Sequence, residues 1–255
     1  QGLALDTSVS PPILYVADTG NNRVLAWRNA SQFDNGAPAD LVIGQRDRFS
    51  TTGLGPGTTF ASGLSAPTSV AVDRNGRLYV ADSGNHRIVR YPQPFQQAGE
   101  ISLADMVIGQ PNLTSKTANA GGLSARSISL LASGGAPYRT ALLFDAQGNL
   151  WFTDAANHRV LRYRAQDLGD GAANQPAADL VIGQPDFTTN SPAAQSASGR
   201  TNKAKFYGPS GLAFDQSGRL YVVDSLSRVL VFTSLQTGAG AARLMGIPVQ
   251  IQGQP

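Results

Sequence analysis

The 255-residue sequence contains no cysteine. Disulfides, thiolate metal sites and a cysteine nucleophile are therefore excluded. Histidine is almost as scarce, with two residues, so chemistry that needs several imidazoles has little to draw on. No run approaches the ~18 consecutive apolar residues of a membrane-spanning helix. No basic-then-apolar leader opens the chain and residue 1 is Gln rather than Met, so the sequence reads as a processed product or an excised piece. The net charge is only +3 and no basic stripe is concentrated in one segment, which falls short of a dedicated nucleic-acid binder. Strong helical periodicity is also missing.

What the chain does have is turns and a repeat. Gly (28) and Pro (15) are abundant, which suits an all-β protein long enough to bury a sizeable core. LYVADSGNHRIVRY (78–91) has three relatives: LYVADTGNNRVLAW (14–27), LWFTDAANHRVLRY (150–163) and LYVVDSLSRVLVF (220–232). Asp18, Asp82, Asp154 and Asp224 anchor them, 64, 72 and 70 residues apart. Downstream recur DLVIGQ (40–45), DMVIGQP (105–111) and DLVIGQP (179–185), with IQGQP (251–255) as a worn fourth copy. Upstream recur GLALD (2–6), SVAVD (69–73), ALLFD (141–145) and GLAFD (211–215). Each unit thus holds four short apolar runs, and Asn75-Gly76, Gln147-Gly148 and Ser217-Gly218 are hairpin signals between the first and second. Repetition at this period predicts a β-propeller of four-stranded antiparallel blades, here four of them, at about 1–46, 67–111, 137–185 and 209–255. One such sheet cannot bury both faces alone, so blades must stack.

The pattern D-x-x-N-[NH]-R-[VI] after an LYVAD-type strand resembles the NHL repeat, and the resemblance runs in four phased units over almost the whole chain. The long spacing and the ADLVIGQPDFT-like segment resemble NHL proteins of exported bacterial type. The fourth unit departs from the pattern, because its Ser225-Leu226-Ser227 turn is one residue shorter and has neither Asn nor His. The resemblance implies an extracellular or periplasmic setting and a ring typically of six blades. The chain could then be part of a larger ring, a closed four-bladed ring, or one that a second copy completes; the phase favours an incomplete or externally completed ring. A protein partner or self-association is the expected mode of action, with no membrane insertion.

The chemistry-bearing residues mostly belong to the repeat. His86 and His158 align with Asn22, so the position asks for a polar turn residue that bonds locally. With Asp82 and Asp154 they are the candidates for a Ca or Zn site, but a catalytic zinc needs about three protein ligands and an open position, and these positions recur. No cofactor is expected. Asp18–Arg23, Asp82–Arg87, Asp154–Arg159 and Asp224–Arg228 recur in all four units and are expected to fix blade register rather than to catalyse. Related propellers include metal-dependent lyases and lactonases and RNA binders. No non-repeating His/Asp/Glu cluster, nucleophile elbow or phosphate loop supports the first. Arg90, Tyr91, Arg162, Tyr163 and Arg164 hint at the second, although recurrence and interleaved aspartates favour solvated strand faces. What the repeat does not dictate are the connections 46–68, 111–140 and 185–210, which serve either as binding loops or as ordered joints between blades.

Overall fold

A computed structural model describes residues 2–246 other than 33 and 100. The IQGQP segment lies outside the described residues. The chain forms four antiparallel four-stranded sheets in sequence order. The first is β1 (Leu3–Asp6), β2 (Ile13–Asp18), β3 (Arg23–Trp27) and β4 (Leu41–Ile43); the second is β5 (Pro67–Val72), β6 (Leu78–Asp82), β7 (Arg87–Tyr91) and β8 (Met106–Ile108). The third is β9 (Leu142–Phe144), β10 (Leu150–Asp154), β11 (Arg159–Tyr163) and β12 (Leu180–Ile182); the fourth is β13 (Pro209–Phe214), β14 (Leu220–Asp224), β15 (Arg228–Phe232) and β16 (Arg243–Met245). Each sheet is one blade of a propeller. Apart from single 3-10 turns, helix is confined to Ala197–Arg200 among the described residues.

The turns differ in detail from the two-residue hairpins that Asn-Gly predicts. Only the glycine takes a left-handed backbone (Gly76 φ +74, Gly148 φ +83, Gly218 φ +76), whereas the two-residue turn would need both central residues there. The reason is the aspartate that ends the first strand. Asp73 Oδ1 accepts the Asn75 and Arg77 N–H groups, and Asp145 and Asp215 repeat the arrangement in their blades. The carboxylate closes a longer turn from within.

Blades stack through complementary faces. The forward face of the first blade (Tyr15, Ala17, Val24, Ala26, Ile43) packs on the backward face of the second (Val70, Leu78, Val80, Val89, Val107). The forward face of the second (Tyr79, Ala81, Ile88, Ile108) meets Leu150, Phe152, Leu161 and Val181 of the third. Trp151, Val160 and Ile182 of the third meet Leu220, Val222 and Leu230 of the fourth. Each joint takes one further apolar residue from a long connection: Leu64, Ile128 and Phe206, all fully buried. These sit against Gly44, Gly109 and Gly183, the glycines of the VIGQ runs, where a side chain would collide with them. Burying one such side chain contributes about 1.5–3 kcal/mol. Thr68 Oγ1 links the second and third blades at the innermost strand, within 2.6 Å of both the Ser83 and Thr140 hydroxyls.

Candidate functional site

The turn between second and third strands is the same device in every blade. Its Asp ends one strand and its Arg begins the next, directly opposite in the ladder. Arg87 Nε donates to Asp82 Oδ2 at 2.7 Å and Arg159 Nε to Asp154 Oδ2 at 2.8 Å, with both partners fully buried. Arg228 Nη2 and Asp224 Oδ2 form the same buried pair at 3.0 Å. In the first blade the Arg23–Asp18 pair is partly open, at 18% and 23% exposure. The Asn of the motif adds a bond to the same carboxylate, as Asn85 does to Asp82 and Asn157 to Asp154. Asp82 and Asp154 also accept backbone N–H groups of Ser65 and Ser129, which brings each long connection back onto its blade. Burial pushes the Asp82 carboxyl up, against the pull of Arg87 and these donors.

The remaining guanidinium donors hold the long connections. Arg87 donates to the carbonyls of Ala61 and Gly63 in the preceding connection and of Leu113 in the following one. Arg159 does so with Ser124, Ser127 and Phe187. Arg228 reaches Gly199, Arg200, Asn202 and Lys205. Arg23 reaches Arg48. One arginine per blade thus satisfies carbonyls that a loop of this length would otherwise leave unpaired. The connections form an ordered rim on the side of the molecule that carries these turns.

Both histidines work between blades. His86 (φ +49) and His158 (φ +54) occupy the left-handed position that ends the turn, as does Asn22 (φ +54). Each reaches forward: Asn22 Oδ1 accepts the Ala66 N–H at 2.7 Å, His86 Nδ1 the Leu130 N–H at 3.1 Å, and His158 Nδ1 the Gly208 N–H at 3.0 Å. His158 also stacks on Tyr207 of that entry segment, 5.4 Å between ring centres. Accepting at Nδ1 requires the neutral imidazole with its proton on Nε2. Burial holds both imidazoles below the ordinary histidine range, while the Asp154 charge pulls the other way. The two rings serve different joints, and Asp82 and Asp154 are engaged by Arg87 and Arg159 rather than by the rings. Among the described residues no three His, Cys, Asp or Glu side chains are grouped to hold a metal ion.

Sequence reasoning passed over the glutamines of the VIGQ runs. Gln45, Gln110 and Gln184 each donate Nε2 to the carbonyl of the left-handed residue (Asn22, His86, His158) and to a carbonyl of the following connection (Thr52, Thr117, Ser191). Their recurrence was the available signal. The arginines of the basic-aromatic motif differ from expectation in part. Arg90 is buried, paired through both carboxylate oxygens of Asp105, and donates to Leu168 and Gly169 of the next blade. Arg162 pairs with Asp179 and Arg164 with Asp167. Arg90 and both tyrosines lie in strands covered on both faces, whereas Arg162 keeps part of its side chain in water and Arg164 is exposed, as expected of a solvated face.

On the opposite rim a cavity of about 370 Å³ lies between the second and third blades, lined by Asp73, Arg74, Arg77, Phe144, Asp145 and Asp170. Arg77 spans it, donating to Asp73 and, at 2.8 Å, to Asp170. Asp145 is occupied by Asn149 and the Trp151 indole N–H. Its carboxylates therefore hold turns and the joint.

Residues 64–91 match the NHL repeat. No curated protein matches the chain in sequence. Among solved structures it is similar to a periplasmic gluconolactonase from Pseudomonas aeruginosa, with 15% identity, a TM-score of 0.53, and coverage of 98% of this chain and 59% of that one. An auxiliary nutrient binding protein from Bacteroides thetaiotaomicron gives 14% identity and a TM-score of 0.51, covering 88% of this chain and 45% of that one. A protein from Lactobacillus plantarum gives 18% identity and a TM-score of 0.50, covering 98% and 56%. At such identities the likeness is one of fold. The chain spans about half the length of each of these neighbours.

Proposed function

We propose that this NHL-repeat β-propeller is a non-catalytic interaction module that binds a protein partner through the rim of long connections. The observation that carries this reading is Phe49, 90% exposed at the tip of a connection that is otherwise tied down. Its turn is closed by Asp47, which accepts the N–H groups of Phe49 and Ser50, and Arg23 holds the neighbouring Arg48 carbonyl. Asn112 and Asp186 build the same turn in the next two connections, but there Thr114 and Thr188 stand where the first has Phe49. A large aromatic on a rigid, polar rim is the kind of anchor that interfaces bury. The exported character of the NHL type it resembles supports a setting outside the cytoplasm.

The test replaces Phe49 with a photo-reactive phenylalanine analogue in the producing cell. A protein cross-linked from position 49, competed by the unmodified chain and not by Phe49→Ser, is the expected result. Equal cross-linking from position 147 on the opposite rim would overturn the rim as the site. A stoichiometric, chelator-resistant Ca or Zn together with turnover of a lactone would replace the binding reading by an enzymatic one. Binding of single-stranded RNA at low salt that falls steeply as salt is raised would favour the nucleic-acid alternative. Fractionation of the producing cell checks the compartment.

A further inference from the structure

Each VIGQ glutamine is held by its nitrogen alone. Nε2 of Gln45, Gln110 and Gln184 lies 2.7–3.1 Å from two carbonyl oxygens, one in the turn between second and third strands and one in the following connection. A carbonyl only accepts, so the donor end of the amide has to face this pair and Oε1 has to face away. The three residues are at most 2% exposed, and each Oε1 is buried with no hydrogen-bond partner among the described residues. A buried acceptor left unmatched loses its hydration without replacement. One such atom is an irregularity; the same atom in three phased copies belongs to the repeat. The packing around it differs from copy to copy, with Leu64, Ile128 and Phe206 against the preceding glycine, so no shared side-chain contact accounts for it.

We propose that each of these glutamines binds one buried water, which donates an O–H to Oε1. Charge selects water over a cation. Two residues beyond the glutamine stand Asp47, Asn112 and Asp186, so the second copy carries no charge there, and each of these side chains accepts within its own turn. The turn carboxylates Asp82 and Asp154 are matched by Arg87 and Arg159. A cation at Oε1 would be buried with no counter-charge, a cost that a neutral donor does not carry. The two carbonyls on Nε2 each keep a second lone pair, which offers the water the further partners that internal sites need. A tyrosine supplies a fourth site and a control. Tyr91 Oη donates to the Ser62 carbonyl at 2.5 Å. Tyr163, its fully buried counterpart in the third blade, has no partner for Oη among the described residues, and Arg126 stands where the first connection has Ser62. Tyr163 Oη therefore binds a water and Tyr91 Oη does not. These waters are internal, and they stand independently of partner binding at the rim.

A high-resolution crystal structure of the full chain tests this. The expected result is a water peak within about 3.2 Å of Oε1 in all three glutamines and of Tyr163 Oη, with none at Tyr91 Oη. An Oε1 that is dry, or met by a protein donor, in any of the three copies would overturn the proposal. So would a peak that gains anomalous signal from thallium(I) soaks, which identifies a monovalent cation site. Oxygen-17 relaxation dispersion gives a second readout in solution, with circular dichroism to confirm folding. It should count at least four long-lived internal waters in the native chain, one for each of the four orphaned atoms, and Tyr163→Phe should hold one fewer. A native count below four would sink the set. An unchanged count in folded Tyr163→Phe would strike out the tyrosine site, and the contrast with Tyr91 with it.

Discussion

The arginine of each turn has two tasks, neutralising a buried carboxylate and closing loop carbonyls, and the blades differ in how far water can substitute for it. Arg87 and Asp82 are both fully buried, so Arg87→Met leaves a desolvated charge and several unpaired carbonyls. We expect a loss of about 3–5 kcal/mol, measured by urea denaturation. Arg23→Met, at a partly exposed pair with one loop contact, should cost at most about 1 kcal/mol. Equal losses at the two sites would mean that burial is not what sets the cost. The histidines give a second test. Folding lowers the His86 pKa, so its contribution is complete above the ordinary value of about 6.5 and is lost as pH falls below it. Protonation turns the Nδ1 acceptor into a donor facing the Leu130 N–H. His86→Asn imports the side chain that serves the first blade, which tolerates the same left-handed backbone. It should keep stability at neutral pH and flatten the decline between pH 7 and 5, as followed by thermal melts; His86→Ala should lose stability at both ends. A steeper acid decline in His86→Asn would refute the interblade role.

At the scale of the blade, the VIGQ run does more than supply a fourth strand. Its glycine takes a left-handed backbone (Gly109 φ +86) and gives up its side-chain space to Ile128 from the connection, while its glutamine ties the turn to that connection. Gly109→Ala meets both the backbone penalty and a collision with the Ile128 side chain, so we expect about 2–4 kcal/mol of destabilisation, read from the denaturation midpoint. Gly218→Ala, at a turn with open space around it, carries only the backbone penalty and should cost less. Much of this element was legible in the sequence. Four aspartates in phase, Asn-Gly-type turns and alternation of runs located the strands except the last, which is Arg243–Met245, followed by the left-handed Gly246, rather than part of IQGQP; the alignment of His86 with Asn22 marked a turn position. The partners were not legible. That Nδ1 of His86 meets Leu130, or that Arg90 reaches Leu168, depends on how neighbouring sheets stack, a distance of 44 or 78 residues that no local pattern encodes. The reading of Arg90 and Tyr91 as a solvated face failed for the same reason, since a strand covered on both sides hides the alternation that would reveal its exposure.

For the whole molecule, stacking makes stability a matter of neighbours. In a quasi-linear repeat array each blade is held by the joints it shares, so a blade with two joints opens less readily than a blade with one. The second and third blades bury both faces and hold their Asp–Arg pairs dry, whereas among the described residues the first blade has one covered face and a partly open pair. Hydrogen exchange followed by mass spectrometry should therefore show the slowest amides in β6, β7, β10 and β11, with β2, β3, β14 and β15 exchanging faster. End blades of this chain as protected as the middle ones would mean that shared joints are not what sets local stability, and the nearest-neighbour account would not survive that result.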